Sequence, residues 1–331
     1  MTVEKIIADW KKKTFKPIYW LEGDEEYFID QVVQYAEHHI LSESEASFNL
    51  SIFYGKDANW ADVVNACMRY PMFAERQVVL LKEAQQMKDV EKLETYIDNP
   101  LSSTIFVVSY KEKKLDARKK FTKLVKEKGE LVTTKKMYDS KLPEWTQEML
   151  HGKGLTMTPK GLALLVNHIG NDLSRIENEV EKLSVNLGKR THITEEDIEV
   201  YIGVSKDYNV FELQSAMAAK DMARTMQIIQ YFESNPKAGP IQLLLPSLYG
   251  FFSKVFMMFG ATGDEKAIAA SIGVNPFFMK DYSMAARLYT YPGIEKVLLL
   301  LHQYNLKAIG IGSTGTSDAS LMKEMVVKMM S

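Results

Sequence analysis

The sequence lacks most of what an extracellular or membrane protein needs. Its single cysteine, Cys67, excludes an intramolecular disulfide and a cysteine metal cluster, and suits a reducing cytoplasm. The N-terminal segment has no apolar core of a secretory signal, and no stretch reaches the about 18 uninterrupted apolar residues of a spanning helix. The nearest, residues 243–259, is interrupted by Pro246 and Lys254. With a formal net charge of −2, these absences predict a soluble cytoplasmic protein without a membrane partner.

Recognisable catalytic motifs are also missing. The six histidines show no metal-binding spacing. No serine or cysteine stands in a strand-to-helix elbow of the G-x-S-x-G type, which would expose a nucleophile. We therefore expect no catalytic residues, no metal ligands and no bound cofactor.

A nucleotide site is the main enzymatic possibility, and its phosphate loop is missing. Such a loop needs glycines, a lysine and a Ser or Thr after the first strand. Here that position holds Asp24, Glu25 and Glu26, which would repel a triphosphate. We interpret them as a helix N-cap at Asp24 followed by first-turn acids. Lys82, which follows the apolar run of the third predicted strand, puts a cation where an ATPase would hold magnesium, which indicates the remnant of a nucleotide site.

What the sequence does contain is a regular alternation of strand and helix signals over about 135 residues. Apolar, β-rich runs predict five strands, and helical spacing predicts four helices between them. The predicted strands are 17–23, 48–55, 75–84, 103–110 and 130–136, and the predicted helices are 24–41, 58–70, 90–100 and 115–129. This order is typical of a parallel sheet with flanking helices.

From Ser140 the pattern becomes helical. Segments 141–154, 158–170, 171–188 and 194–202 read as helices, with Gly170 and Gly188 at helix ends. The remainder is rich in methionine and aromatic residues, with a Gly/Ser/Thr loop at 310–316. We therefore predict an α/β domain at 1–138, a small helical lid at 139–205 and a larger helical domain at 206–331.

One predicted helix lies in a strongly basic segment. Residues 111–128 contain nine Lys or Arg and three acids, a local charge of +6. A solvated helix face is the favoured interpretation, and contact with a DNA backbone is the alternative. The candidate phosphate contacts are Arg118, Lys119, Lys120 and Lys123.

The stretch RYPMFAERQVVLL, residues 69–81, raises the question of two apolar residues just before a strand. Pro71 should end whatever precedes it, which leaves Met72 and Phe73 on a turn or a short helical start. The pair is therefore either a lid on the core or a hydrophobic tip for a partner.

An ordered set of segments resembles a known family, the delta subunits of the bacterial DNA polymerase III clamp loader. The resemblance covers nearly the whole chain, and it depends on the order and spacing of the segments. They are PIYWLEGDEEYFIDQ, YPMFAERQVVLLKEA, KLDARKKFTKLVKEKG, LPEWTQEML, GNDLSRIENEVEKLSVNLG, ITEEDIEVYIG and VFELQSAMAAKD.

The resemblance implies a fold and a role. The fold would be a degenerate AAA+ module with a small helical lid and a C-terminal helical collar domain for oligomerisation. The role would be to bind the sliding clamp and open the ring for loading onto primed DNA, without intrinsic catalysis. The clamp contact would map onto Pro71, Met72 and Phe73, with Met72 where leucine is common in the family, a volume-conserving exchange.

The implied partners are the sliding clamp, the ATPase subunits of tau/gamma type, the delta-prime subunit, and primer-template DNA within the complex. Any nucleotidyl transfer would belong to the polymerase holoenzyme. Two other functions stay open from the residues alone. One is an active AAA+ ATPase or nucleotide-binding enzyme with an unrecognised site, and the other is a helical DNA-binding scaffold.

Overall fold

The computed structural model describes residues 3–312 and 315–331. The chain forms two compact units, residues 1–138 and 139–331. The predicted division of the second unit into a lid and a collar domain at residue 205 stays a prediction.

The first unit is built around five parallel strands. Its elements are α1 (Val3–Lys11), β1 (Ile18–Gly23), α2 (Glu26–His39), α3 (Glu43–Asn49), β2 (Leu50–Tyr54), α4 (Trp60–Cys67), β3 (Gln77–Lys82), α5 (Glu94–Ile97), β4 (Thr104–Lys111), α6 (Lys120–Lys128) and β5 (Glu130–Thr134). The sheet order is β2-β3-β4-β1-β5, with every pair parallel. Strand β2 is therefore an outer strand of the sheet, and β1 lies between β4 and β5.

Both faces of the sheet are covered, which explains the continuous apolar runs in the strands. In β1, Tyr19 and Leu21 pack on the face covered by α1 and α2, whereas Ile18 and Trp20 pack on the face covered by α4 and α6. Each residue of β1 is thus buried whichever way it points. The predicted parallel sheet with flanking helices is confirmed.

Three predictions about the helices of this unit are wrong. The helix predicted at 90–100 is reduced to α5, which spans Glu94–Ile97 and follows a 3₁₀ turn at Val90–Leu93. The helix predicted at 115–129 begins only at Lys120, because the carboxylate of Asp116 accepts the backbone N–H of Arg118 at 3.0 Å and holds a local turn. Asp24 is not the N-cap of α2. That position is held by Glu25, and the Asp24 carboxylate instead pairs with the Lys114 ammonium at 2.7 Å.

The second unit is helical, as predicted, with one small addition. Its elements are α7 (Leu142–Gly152), β6 (Thr156–Met157), α8 (Pro159–Ile169), α9 (Leu173–Leu187), β7 (His192–Ile193), α10 (Glu195–Ile202), α11 (Val210–Ala218), α12 (Met222–Ser234), α13 (Ile241–Met258), α14 (Glu265–Ile272), α15 (Met279–Ala308) and α16 (Asp318–Met330). The short parallel pair β6–β7 was not predicted. Gly170 and Gly188 end helices with positive φ angles of 74° and 62°.

Helix α13 is the one described helix that is long and apolar enough, by length and composition, to cross a membrane. Here it is a core helix of the helical unit, since Leu244, Leu248 and Phe252 are fully buried and α13 packs on α11 and α15. Helix α15 is broken at Thr290, which has φ 59° and lies two residues before Pro292. In the predicted loop at 310–316, residues 313 and 314 lie outside the described residues.

Candidate functional site

The candidate site is the loop at residues 69–76, which joins α4 to β3 and is called the tip loop here. Its two central apolar residues, Met72 and Phe73, form the tip. Phe73 is 96% exposed and Met72 is 54% exposed, whereas Pro71 is half-buried. The structure therefore places neither tip side chain as a lid on the core. Because the loop leads into the first residue of β3, it lies at the side of the parallel sheet where the strands begin, which is called the amino-terminal edge here.

A buried side chain holds the backbone of the tip. The Asn49 side chain, at the end of α3, accepts the Met72 N–H through Oδ1 at 2.7 Å and donates from Nδ2 to the Met72 carbonyl at 2.9 Å. The same Nδ2 donates to the Glu45 carbonyl at 3.0 Å. Asn49 is 3% exposed. Both backbone groups of Met72 are thus satisfied inside the unit, which leaves its side chain free to point outward.

A second amide anchors the start of the loop. The buried Gln77 Nε2 lies 2.5 Å from the Arg69 carbonyl, 3.1 Å from the Ala66 carbonyl and 2.8 Å from Thr104 Oγ1. Thr104 in turn donates its hydroxyl to the Cys67 carbonyl at 2.9 Å. The last turn of α4 is therefore tied to the first residues of β3 and β4, so the tip loop leaves from a fixed base.

The backbone at Phe73 adopts an unusual conformation. Its φ of 54° lies in the left-handed region, which a bulky non-glycine residue rarely occupies. Such positions cost about 1–3 kcal/mol each and cluster at functional sites. A large apolar side chain that is almost fully exposed on a strained backbone is a poor choice for stability alone. The combination indicates a contact surface.

The opposite, carboxyl-terminal edge of the sheet is where a nucleotide would bind, and there the end of β1 is closed. Gly23 has φ +123°, and a Cβ at this position would lie 2.1 Å from the Thr134 carbonyl oxygen of β5. Its N–H donates to the Lys113 carbonyl at 3.1 Å, and its carbonyl accepts the Glu112 N–H at 2.9 Å. The amide that would begin a phosphate loop is therefore already bonded within the unit.

Buried acids surround the same point. Glu22 accepts the Leu115 N–H at 2.8 Å and the Thr133 hydroxyl at 3.0 Å. Glu25 is 2% exposed, with Lys136 Nζ 3.8 Å from its carboxylate. These carboxylates would oppose a phosphate group at this position. They serve instead to join the end of β1 to the segments on either side of it.

The lysines at the carboxyl edge are also paired. A cavity of about 270 Å³ is lined by Lys82, Lys111 and neighbouring polar residues. Lys82 pairs with Glu37 at 2.5 Å, and Lys111 with Asp30 at 2.8 Å. Burial alone would lower the pKa of Lys111, but the carboxylates beside it outweigh burial and raise that pKa. The cavity therefore presents balanced charge and no free cation pair for a phosphate.

The basic segment is partly compensated as well. Arg118 pairs with Asp116 at 2.9 Å. Two acids from the segment before β4 reach across: Glu91 pairs with Lys119 at 2.5 Å and Glu94 with Lys120 at 2.6 Å. Of the four candidate phosphate contacts, only Lys120 and Lys123 lie on α6 itself. Within residues 3–312 and 315–331, Lys123 has no ion pair.

Metal binding has no geometric support in the described ranges, where no group of three or more His, Cys, Asp or Glu side chains is placed to hold an ion. Sequence reasoning found the tip but missed Asn49 and Gln77, which position it. Asn49 bonds to a residue 23 positions away. No local pattern signals such a long-range pair, although an asparagine within the predicted strand 48–55, a residue type depleted in strands, was a hint.

Comparisons with known proteins agree with the resemblance seen in the sequence. The family model for the DNA polymerase III delta subunit matches residues 19–135. The DNA polymerase III subunit delta of Bacillus subtilis is 25% identical over 95% of this chain and 93% of its own length. A probable delta subunit of Aquifex aeolicus is 23% identical over 69% of this chain and 68% of its own.

A solved structure supports the fold. The Bacillus subtilis DNA clamp loader delta protein matches with a TM-score of 0.53 and 24% identity, over 99% of both chains. The likeness shows the fold, a parallel sheet with flanking helices followed by a helical region. That this fold is a degenerate AAA+ module stays an expectation from the resemblance. The chain is thus similar to bacterial DNA polymerase III delta subunits, through a family model over residues 19–135 and through a relative over nearly its whole length.

Proposed function

We propose that this chain is a delta subunit of the bacterial DNA polymerase III clamp loader. It would bind the sliding clamp through Met72 and Phe73, with Pro71 preceding them, and open the ring for loading during replication. The observation that carries the proposal is an exposed apolar pair whose backbone is fixed from inside the unit by Asn49. A rigid, pre-organised anchor loses little conformational freedom on binding, which favours affinity. Sequence relatives with the same family name support the assignment.

The small size of the tip limits the binding affinity that Met72 and Phe73 can provide alone. Burying one methionine and one phenylalanine contributes about 3–6 kcal/mol. Association costs at least several kcal/mol, and nanomolar binding needs about −12 kcal/mol. Further surface of the same unit must therefore contribute, and ring opening must draw on the preference of the assembled loader for the open clamp.

Within that assembly we expect the other partners to be ATPase subunits of tau/gamma type, a delta-prime subunit and primer-template DNA. The helical region at 206–331 is the proposed oligomerisation surface, and the protein would act in the cytoplasm. Arg118, Lys119, Lys120 and Lys123 stay the proposed contacts to DNA phosphates. Catalysis is not part of the proposed role.

A measurement of nucleotide binding distinguishes the proposed role from that of an active ATPase. We expect isothermal titration of the isolated chain with millimolar MgATP to give no binding isotherm. The physical reason is that Gly23 is closed against Thr134 and that buried acids occupy the phosphate position. A tight, magnesium-dependent isotherm would contradict the proposal and favour the enzyme.

The ion pairs of the basic segment allow a separate test of the proposed DNA contacts. Replacing Glu91→Gln together with Glu94→Gln should free Lys119 and Lys120 for phosphates. Weak, non-specific binding to duplex DNA should then tighten, and the slope of log K against log salt should steepen by about 2, since each added phosphate contact adds about 0.9. Fluorescence anisotropy across a salt series measures this.

A matched control for that series is Glu177→Gln with Glu181→Gln, which frees Lys153 on the second unit. This variant changes the net charge by the same amount. If both double variants steepen the slope equally, general charge and not the basic segment governs binding.

A further inference from the structure

Two more aromatic side chains are exposed next to the tip. Phe48 is 68% exposed, and Tyr70 is 77% exposed. Tyr70 belongs to the tip loop itself, two residues before Met72. Phe48 is the penultimate residue of α3 and directly precedes Asn49, the residue that holds the Met72 backbone.

The sheet register brings these positions to the same edge. Strands β2 and β3 are neighbours, and Leu50 is opposite Val78. Phe48, in the last turn of α3, and Tyr70, in the tip loop, therefore both precede the first residues of two neighbouring strands. Both the end of α3 and the tip loop lie at the amino-terminal edge of the sheet, beside its β2 side.

The hydrogen bonds of Asn49 set an upper limit on the distance between the Cα atoms of Phe48 and Met72. Standard bond lengths and the 2.7 Å bond from the Met72 N–H to the Asn49 side chain keep the two Cα atoms within about 8 Å. One more residue places the Cα of Phe48 within about 12 Å of that of Met72. Side chains of this size, all more than half exposed, are then close enough to contribute to one surface. Contiguous exposed apolar patches on a soluble unit mark interaction sites.

We propose that Phe48 and Tyr70 belong to the clamp-contacting surface and supply part of the affinity that Met72 and Phe73 cannot supply alone; this inference depends on the proposed function. The occupant is thus the clamp surface that receives the tip. Continuity with the tip through Asn49 carries the assignment, and large aromatic side chains are the type that dominates binding energy at interfaces. Asn49 keeps the α3 side of this surface in register with the tip loop.

The test is the affinity of the full chain for the purified sliding clamp, measured by surface plasmon resonance. Phe48→Ala and Tyr70→Ala should each raise Kd by about tenfold, and the two together by about a hundredfold, with an unchanged melting temperature. The control is Tyr138→Ala, an aromatic residue of the same unit that is 80% exposed but follows β5 at the opposite edge of the sheet. It should leave Kd unchanged.

Phe48→Glu, which adds a charge at an exposed position, should weaken binding at least as much as Phe48→Ala. Wild-type Kd for the Phe48 and Tyr70 variants, beside loss of binding by a variant of the tip itself, would overturn this inference and leave the proposed function standing. Wild-type binding by the tip variant would instead overturn the proposed function. An equal loss of affinity in Tyr138→Ala would also overturn the inference, since the effect would then not be local.

Discussion

Replacing Met72→Ala and Phe73→Ala together is expected to abolish binding of this protein to the sliding clamp while the protein remains folded. The two side chains make up the tip and are the ones that would enter a pocket on the partner. Removing both takes away about 3–6 kcal/mol of apolar burial. Because about 1.4 kcal/mol corresponds to a tenfold change, Kd should rise by at least a hundredfold.

The folded state should not suffer, since both side chains point into solvent and contribute little to the core. Replacing Phe73 by the smaller alanine leaves the positive φ in place, so the loop conformation is under the same backbone constraint. A pull-down with immobilised clamp, followed by titration, measures the loss, and circular dichroism melting measures the fold.

Val185→Ala serves as the control for that experiment. Val185 is 81% exposed on α9 of the second unit and lies outside the proposed surface. It should bind the clamp as the wild type does. Capture of the tip double variant at wild-type strength would show that the clamp is bound elsewhere on the subunit.

Gly23→Ala is expected to destabilise the first unit by about 3 kcal/mol or more. A Cβ at this position would lie 2.1 Å from the Thr134 carbonyl oxygen and 2.8 Å from the Thr134 amide nitrogen, both of them backbone atoms. Strand β5 would have to move away from β1, which breaks their parallel pairing around Gly23 and Thr134. The positive φ of +123° adds strain for any residue with a Cβ.

Urea denaturation followed by far-ultraviolet circular dichroism gives the change in free energy of unfolding. Gly154→Ala is the matched control, because Gly154 also has a positive φ, of +70°, but an added Cβ would meet nothing within 4 Å. That variant should cost only about 1 kcal/mol, from the backbone conformation alone. If both variants lost the same free energy of unfolding, the contact of the added Cβ with Thr134 would have to be relieved without cost.

The parallel sheet could be predicted from the sequence because its strands are buried on both faces. Runs such as Val78–Leu81 have no polar interruption, so they identify strands wherever the partners lie. The start of α6 could not be found in the same way. Helical spacing extends back to Leu115, but the side chain of Asp116 satisfies the Arg118 N–H locally, and that competes with helix formation.

Pairing between residues far apart in the sequence explains other differences between the predictions and the structure. Asp24 has the right identity for an N-cap, but Lys114, 90 residues away, takes its carboxylate. In the same way, the sequence left the tip as either a core lid or a contact, since its exposure depends on Asn49 in another element. Local patterns identify which residues are unusual, whereas tertiary contacts decide which way they face.

The buried thiol of Cys67 gives this molecule an internal reporter of opening. Cys67 is the only cysteine, is fully buried at the end of α4, and lies two residues before the tip loop. Burial raises the pKa of its thiol well above the ordinary value, so the native state holds almost no reactive thiolate. Its rate of labelling by a thiol reagent therefore measures how often the base of the tip loop opens. A partner seated on the tip should slow that labelling without touching the sulfur.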